Sequence, residues 1–265
     1  MSLVSLYQQV EQQESIDIPS GWGQGRTVFG GLVAGLMMQK AISVVNDPAK
    51  QLLSCYVTFV GPVQEGEAKL TAEVLRQGKS VTTLEVRLWQ QDAVQSIVVA
   101  SFGTARESNI VVHHQPVVPD YPMPEQLDKM VYIDGLMPQC FQQFELCWAE
   151  GSYPMSGSKQ PDMGGWNRFA PNLHANRDLR LADLFGLMDV WPPGVLPMFK
   201  TPAPASSLSW HITYLQPITH QLHDWFKYKV ITEVAEHGYS TEYAYIWDRE
   251  NRLIAVLRQT VAVFA

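Results

Sequence analysis

Two periods of apolar residues run along this chain, and they predict where it forms helices and where it forms strands. One stretch, residues 178–193, repeats apolar side chains at the three- and four-residue spacing of a buried helical face. These side chains are Leu181, Leu184, Phe185 and Met188. Asp178 is predicted to cap the helix, since its carboxylate can accept the free N–H groups of the first turn. Trp191-Pro192-Pro193 is predicted to end it, because proline has no N–H to donate.

A second apolar helix is predicted earlier in the chain, at residues 32–45, with Gly30-Gly31 directly before it. Each helix is followed by four runs rich in β-branched and aromatic residues, which are typical of strands. The runs after the first helix are residues 53–60, 68–76, 82–90 and 94–105, and those after the second are 207–215, 225–236, 240–248 and 253–264. Shorter strands are predicted at 14–18, 141–149 and 165–169.

The two halves of the chain repeat each other. Three sets of residues recur in the same order, at offsets of 155, 160 and 158 positions. They are Leu53-Ser54-x-x-x-Thr58 with Leu208-Ser209-x-x-x-Thr213, Glu73-Val74-x-x-x-Gly78 with Glu233-Val234-x-x-x-Gly238, and Trp89 with Trp247. We predict two copies of one unit, residues 1–110 and 139–265, joined by a proline-rich linker at 111–138. Because the strands follow one another without crossover helices, the predicted class is α+β, with two antiparallel sheets each wrapped around a central helix.

Composition excludes several classes of function. The 265 residues are 46% hydrophobic and 17% charged, which is typical of a globular protein. The net charge of -7 argues against general nucleic-acid binding, which needs a basic face. No apolar run reaches the length of about 18 residues that a membrane span needs, so no membrane insertion is expected. Three cysteines without a CxxC pair, and a start that lacks the secretory signal pattern, favour a cytoplasmic location.

Common catalytic and metal-binding motifs are missing from the sequence. It contains neither GxSxG nor HExxH. The glycine-rich run at residues 21–25 lacks the Lys-Ser/Thr of a phosphate-binding loop and is predicted to be a turn. His220 and His223 form an HxxH pair with no further ligands at a suitable spacing. We therefore predict no metal site and no cofactor.

One acidic residue of the 178–193 helix is a candidate for chemistry. At about 100° per residue, Asp189 falls beside Phe185 on the edge of the apolar stripe, whereas Asp183 points nearly opposite. A carboxylate at such an edge is either solvated or held for catalysis, and charged residues are rarely buried without a partner. On this helical geometry, replacing Asp183 is expected to have almost no effect.

The order of several short motifs resembles the acyl-CoA thioesterase II family. The first-half motifs are Val28-Phe29-Gly30-Gly31-Leu32-Val33-Ala34, Phe59-Val60-Gly61-Pro62 and Glu73-Val74-Leu75-Arg76-Gln77-Gly78-Lys79-Ser80. The second-half motifs are Pro204-Ala205-Ser206-Ser207-Leu208, Ile246-Trp247-Asp248 and Leu253-Ile254-Ala255-Val256-Leu257-Arg258-Gln259. The resemblance implies a tandem double hotdog fold, which agrees with the internal repeat. It also implies hydrolysis of acyl-CoA to free fatty acid and coenzyme A, a reaction of fatty acid metabolism.

The resemblance also implies which residues carry the reaction. In that family an Asp on the second central helix, a Ser or Thr on the following strand and a Gln on the last strand hold the hydrolytic water. These roles fall on Asp189, Ser207 and Gln259. A carboxylate can accept the water's proton, and a hydroxyl and a carboxamide can fix its position. Backbone N–H groups of the helix start at Gly30-Gly31 are predicted to bind the oxyanion of the intermediate.

The repeat predicts one active site per chain. The offset of 155 places Leu52 at the position of Ser207, and the offset of 158 places Ser101 at the position of Gln259. The 32–45 helix contains no acidic residue. The acyl chain is expected beside the central helices, although simple core packing is an alternative role for each candidate wall residue. These candidates are Met37, Met38, Phe185 and Met188.

Two other functions fit the same fold. One is a non-catalytic acyl-CoA-binding protein, and the other is a hotdog hydratase or dehydratase acting on acyl-CoA. A hydratase should show an Asp/His pair in one pocket, and none of the seven histidines is obviously placed for that. Steady thiol release from acyl-CoA would favour the thioesterase. Because closed two-fold contacts are common among soluble proteins, we also expect a homodimer.

Overall fold

The computed structural model describes residues 2–264, so the outer ends of the two predicted units, Met1 and Ala265, lie outside the described residues. Within residues 2–264, three α-helices accompany one eleven-stranded antiparallel sheet and a short two-stranded hairpin. The helices are α1 (Leu3–Gln12), α2 (Gly30–Val45) and α3 (Leu181–Asp189). The strands of the first half are β1 (Ser15–Ile18), β2 (Gly23–Gln24), β3 (Thr27–Val28), β4 (Gln51–Phe59), β5 (Gly66–Gln77), β6 (Val81–Gln90) and β7 (Ala93–Gly103). Those of the second half are β8 (Phe144–Gly151), β9 (Met163–Phe169), β10 (Ala205–Tyr214), β11 (Phe226–Glu236), β12 (Tyr239–Trp247) and β13 (Leu253–Val263).

The predicted repeat reappears in the order of the strands. The first half is arranged β1-β5-β6-β7-β4, and the second half mirrors it as β10-β13-β12-β11-β9, with β8 added outside β9. At the centre β4 pairs antiparallel with β10, from Thr58 opposite Ser209 to Ser54 opposite Thr213. This pairing satisfies backbone groups that would otherwise form two open sheet edges. The two predicted sheets therefore form one continuous sheet, with the halves joined edge to edge.

The predicted long strands are confirmed with small shifts at their ends. The predicted strand at 165–169 becomes β9, and its position beside β11 makes it the counterpart of β1 beside β5. The predicted strand at 141–149 starts later, at Phe144, because residues Gln139–Gln143 form a 3₁₀ helix. The predicted turn at residues 21–25 lies in the hairpin of β2 and β3.

Helix α1 is absent from the elements predicted above. Its ten residues begin after Ser2, whose side chain accepts the backbone N–H of Ser5 at 3.2 Å. The buried residues share one face and are Leu3, Leu6, Tyr7 and Val10. Their three- and four-residue spacing is visible in the sequence and indicates a helix by the same rule that found α2 and α3.

Helices α2 and α3 pack directly against each other because glycines bring their backbones together. A Cβ on Gly35 would lie 2.7 Å from the carbonyl oxygen of Ala182, and one on Gly31 would lie 2.8 Å from that of Phe185. Helix α2 also contacts β5, β6 and β7, whereas α3 contacts β9. The wrapping of each half of the sheet around its own helix stays a prediction. No helix of the described residues is long and apolar enough to cross a membrane.

Helix α3 is shorter than the predicted one. It begins after Arg180, so Asp178 is not its N-cap, and it ends at Asp189, before Trp191. The carboxylate that caps its start is Asp183, whose Oδ2 accepts the backbone N–H of Arg180 at 2.7 Å. The cap therefore comes from inside the first turn and reaches back, since a side chain in that turn can satisfy the N–H that precedes it.

The position of Asp183 on the helical projection, nearly opposite Asp189, does not reveal its surroundings. Asp183 is buried, with an exposed fraction of 1%. Its two oxygens accept the guanidinium of Arg177 at 2.6 and 2.8 Å, and Oδ1 also accepts the hydroxyl of Tyr7 at 3.0 Å. Because Tyr7 lies on α1, this carboxylate joins α1, α3 and the segment before α3.

The predicted linker has two parts in the structure. Residues 104–123 contain no helix or strand, and Val117 is almost fully exposed. From Pro119 onwards the chain is held against the second half. The Nζ of Lys227 donates to the carbonyl of Pro119 at 2.9 Å, and the N–H of Met130 donates to Leu146 on β8 at 2.8 Å. The second part therefore belongs structurally to the C-terminal half of the sheet.

Replacing Gly35 with alanine should destabilise the fold. The new methyl group would meet a backbone carbonyl that cannot turn away, and overpacking of this kind costs about 1–3 kcal/mol. Gly186→Ala is the matched control, because its Cβ would meet only the rings of Phe144 and Phe169, at 3.2 and 3.3 Å. Both variants gain the same helix propensity. Urea unfolding should show a larger loss for Gly35→Ala, and equal stability of the two variants would contradict the proposed close helix contact.

Replacing Asp183 with asparagine should also lower stability. The change leaves the guanidinium of Arg177 without its anionic partner, and breaking a buried pair costs about 3–5 kcal/mol. Asp178→Asn, an exposed position just before the same helix, should change stability by less than about 0.5 kcal/mol. The free energy of unfolding of both variants, measured by urea titration, checks this ranking.

Candidate active site

Asp189 lies at the last position of α3, where it meets the first turn of α2. Its Oδ2 accepts the backbone N–H of Gly31 at 2.6 Å. A carboxylate at a helix N-terminus is stabilised by the unpaired N–H groups and the positive end of the helix dipole. A Cβ on Gly30 would lie 3.0 Å from the same oxygen, so this close approach depends on glycine. The structure thus brings together three of the predicted site residues, Asp189, Gly30 and Gly31.

Burial changes the acid–base properties of Asp189. Loss of water around the carboxyl group raises its pKa well above the ordinary range of an aspartate, and the hydrogen bond from Gly31 offsets only part of this. The residue as a whole is partly exposed, although the carboxyl group is enclosed by protein. A carboxylate with a raised pKa is a stronger proton acceptor than a solvated one.

Ser207 and Gln259 lie together on the adjacent strands β10 and β13. The hydroxyl of Ser207 donates to Oε1 of Gln259 at 3.3 Å, next to a β-bulge in this strand pair. The indole N–H of Trp210 donates to the same oxygen at 2.9 Å. Because an indole nitrogen can only donate, this bond fixes which end of the Gln259 carboxamide carries the oxygen. The amide nitrogen of Gln259 must then point away from Trp210.

The amide nitrogen of Gln259 meets a buried glutamate that the sequence analysis missed. It donates to Oε1 of Glu242, and the backbone N–H of Gly194 donates to Oε2 of Glu242 at 2.8 Å. Glu242 is fully buried. Burial raises its pKa to about 7, with a smaller upward contribution from the charge of Asp162, against the lowering effect of its two hydrogen bonds.

The strand pattern contains the signal that reveals Glu242. Strand β12 buries every second residue, and Glu242 lies on the same buried face as Ala244 and Ile246. A charged residue at a core position of an alternating strand indicates a partnered or functional group. The strand itself was predicted at residues 240–248, and the alternation along it places Glu242 on the buried face.

The first half has no counterpart of this polar group. Gln259 pairs with Glu242 across β13 and β12, and in the first half Ala100 pairs with Leu84 across β7 and β6. The strand pairing therefore matches Gln259 with Ala100, which corrects the predicted match with Ser101 by one residue. The shift arises in the turn, because Trp247 pairs with Leu253, six positions later, whereas Trp89 pairs with Val94, five positions later. The predicted match of Ser207 with Leu52 agrees with the strand pairing.

Within the described residues no hydrogen bond joins Asp189 to Ser207 or Gln259. Two aromatic residues connect the two parts of the site. The ring of Phe59 would touch a Cβ on Gly30 at 3.4 Å, and it stands edge-on to Trp210 with ring centroids 4.7 Å apart. The pKa of Tyr228 is raised by burial and by the charges of both Glu242 and Asp189, which places its phenol near both carboxyl groups.

The four predicted wall residues all belong to the main hydrophobic core. Met37, Met38 and Phe185 have no exposed surface, and Met188 is 2% exposed. This burial agrees with the alternative that they simply pack the core. Their role as walls of an acyl channel stays a prediction.

One Asp/His pair is present that the sequence did not reveal. Nε2 of His220 lies 3.2 Å from Oδ2 of Asp248, and both residues are buried. The same Oδ2 also accepts the side chain of Arg252 at 2.6 Å. The pair thus connects the loop before β11 to the turn between β12 and β13. Among residues 2–264, no three His, Cys, Asp or Glu side chains are grouped to hold a metal ion.

Two family models match most of the chain. The model of the acyl-CoA thioesterase N-terminal domain matches residues 18–104, and that of the acyl-CoA thioesterase C-terminal domain matches residues 118–263. None of the curated proteins matches the chain in sequence.

Several solved structures share the fold over nearly the whole chain. A hot dog fold protein from Alicyclobacillus acidocaldarius is 20% identical, with a TM-score of 0.84 and 98% of both chains covered. The acyl-CoA thioesterase II TesB2 from Mycobacterium marinum is 19% identical, with a TM-score of 0.74 and 98% of both chains covered. The tesB protein of Mycobacterium avium subsp. paratuberculosis is 14% identical, with a TM-score of 0.75 over 100% of both chains. These similarities show a hotdog fold.

Glu242 should make stability depend on pH in a defined window. Its pKa rises from an ordinary value of 4.5 in the unfolded chain to about 7 in the folded one. Below pH 4.5 Glu242 is protonated in both states, so its ionisation does not lower the free energy of unfolding there. Between these two values the unfolded chain loses its proton first, and the folded state loses stability as pH rises. Glu242→Gln cannot ionise, so its stability relative to the wild type should increase across this window. Urea unfolding of both proteins at a series of pH values measures the difference, and parallel curves would contradict the assignment.

Proposed function

Because this chain belongs to the acyl-CoA thioesterase family, we propose that it hydrolyses acyl-CoA to a free fatty acid and coenzyme A, with Asp189 as the general base. The observation that supports this role is the position of Asp189, a desolvated carboxylate bonded to the start of α2 at Gly31. Burying a carboxylate is costly, and such a cost is typical of active sites, where a shifted pKa serves the reaction.

In the proposed mechanism a water molecule attacks the thioester carbonyl. Asp189 accepts one proton from this water as the new C–O bond forms. Ser207 and Gln259 hold the water, since the oxygen of Ser207 can accept a hydrogen bond and the amide nitrogen of Gln259 has a second hydrogen to donate. Among residues 2–264, that nitrogen has Glu242 as its hydrogen-bond partner, which leaves the second hydrogen for the water.

The tetrahedral intermediate then collapses and releases coenzyme A. Its oxyanion needs backbone N–H donors, and the N–H of Gly31 is already bonded to Asp189. The N–H of Gly30 has no partner among the described residues and is the remaining donor in this turn. When the C–S bond breaks, the thiolate takes the electron pair, and it is stable enough to leave without a strong acid. The proton that Asp189 accepted then passes to the thiolate or to solvent, which restores the base.

The acyl chain is proposed to lie among the apolar side chains beside the two helices. Met37 and Met38 on α2 and Phe185 and Met188 on α3 would form its walls. Methionine side chains suit this role, because they are flexible and adapt to irregular apolar shapes. All four are closed off in the structure, so binding requires these side chains to move.

Two alternatives predict different results in the same assay. An acyl-CoA-binding protein without catalysis would bind the thioester and release no thiol. A hydratase would add water to an enoyl-CoA and leave the thioester intact, using a pair such as His220 with Asp248. That Asp248 carboxylate is held by Arg252, so it is already committed to a structural ion pair. This observation favours the thioesterase over the hydratase.

Replacing Asp189 with asparagine should remove the base and keep the fold. The amide oxygen of asparagine can still accept the N–H of Gly31, so the contact between α2 and α3 is retained. We expect turnover to fall by about 10²–10⁴-fold, the usual contribution of a general base. Release of thiol from a panel of acyl-CoAs of different chain length measures this, together with the binding of acyl-CoA to the inactive variant.

Three further variants complete the test. Ser207→Ala and Gln259→Ala should each cost less than Asp189→Asn, and their combined effect should fall short of the product because both hold one water. Asp178→Asn is the control, since this exposed aspartate lies outside the site. An Asp189→Asn protein with unchanged turnover would refute the base assignment.

A further inference from the structure

We propose that Glu242 is a positioning residue, which orients the carboxamide of Gln259 for the hydrolytic water. The inference rests on the proposed function and extends it to a residue that never touches the substrate. Three observations support it: the direction of the hydrogen bonds, the position of Gly194 and the comparison between the two halves.

The first observation is the fixed direction of the hydrogen bonds. Trp210 donates to the Gln259 oxygen, so the amide nitrogen of Gln259 must face Glu242. Glu242 receives donors on both oxygens, from Gln259 and from the backbone N–H of Gly194. Both oxygens of Glu242 thus act as acceptors, which suits the ionised carboxylate, a group that can only accept.

The second observation is the position of Gly194. It lies five residues after Asp189, in the loop that leaves α3. A Cβ on Gly194 would lie 2.6 Å from the hydroxyl of Thr232 and 3.2 Å from Oε2 of Glu242, so only glycine lets the backbone come this close. Glu242 therefore holds Gln259 in a fixed relation to the loop that follows Asp189.

The third observation is the comparison between the halves. The two polar side chains of this pair are matched by Leu84 and Ala100 in the first half, where no site is predicted. The same fold is thus built without Glu242 and Gln259. Because a buried polar pair is not required by the fold, its presence in one half indicates a role in function.

The main experiment is a double-mutant cycle on turnover. Glu242→Gln should lower kcat by about 10–100-fold, the usual effect of removing a group that orients a catalytic one, with little change in KM. Gln259→Ala should lower kcat as well, and adding Glu242→Gln to it should cause no further loss, because Glu242 acts through Gln259. Glu233→Gln, on β11 and paired with Arg258 at the protein surface, is the matched control and should keep full activity.

A second measurement needs no active enzyme. The indole N–H of Trp210 donates to the oxygen of the same carboxamide whose nitrogen donates to Glu242, so its proton NMR signal, assigned with Trp210→Phe, should titrate with Glu242. The other ionisable groups facing Glu242 are Asp162, whose charge raises its pKa, and Tyr228. Asp162→Asn should therefore move the titration to lower pH, and Glu242→Gln should abolish it.

The outcomes separate the two proposals. If the wild-type protein releases no thiol from any acyl-CoA, the proposed function fails, and the Trp210 titration alone decides the role of Glu242. If thiol is released but Glu242→Gln keeps full kcat, or lowers it equally in the presence and absence of Gln259, the positioning role is overturned. A Trp210 signal that does not respond to pH overturns it as well, even if Glu242→Gln fails to fold.

Discussion

The contact between the N-terminus of α2 and the C-terminus of α3 is the constraint on which the rest of the structure depends. Glycine at positions 31 and 35 brings the helix backbones together, and Asp189 then bonds to Gly31 at 2.6 Å. A larger side chain at either glycine would separate the helices and withdraw the N–H from the carboxylate. The packing of the core and the chemistry of the candidate base therefore share one requirement.

The central strand pair β4–β10 has a comparable effect on the sheet. It pairs the edge strand of one half with the edge strand of the other. A single unit would have to pair this edge with another copy, since an unpaired edge invites association. Once the halves are covalently linked, their sequences are free to differ. The first half fills the equivalent interior positions with Leu52, Leu84 and Ala100, whereas the second half places Ser207, Glu242 and Gln259 there.

The sequence predicted the long strands and the two apolar helices, because alternation and helical spacing persist over many residues in each. The family resemblance implied that Ser207 and Gln259 belong to one site, and in the structure a direct hydrogen bond joins them. The cap of α3 was misplaced, because a capping carboxylate can reach back from the first turn, as Asp183 does. The burial of Asp183 depends on Tyr7 and Arg177, one of them far away in the chain, and a helical projection cannot show such partners.

Glu242 shows a different limit of sequence reasoning. Its strand register marks it as a core residue, yet the register alone does not say which neighbours satisfy it. Those neighbours come from β13 and from the loop after α3, and only the assembled fold brings Gln259 and Gly194 to the same carboxylate. A buried carboxylate without such donors would be protonated or would destabilise the fold. The two donors are thus what permits a charge in the interior, and the direction of their bonds in turn determines how Gln259 is presented to the candidate water site.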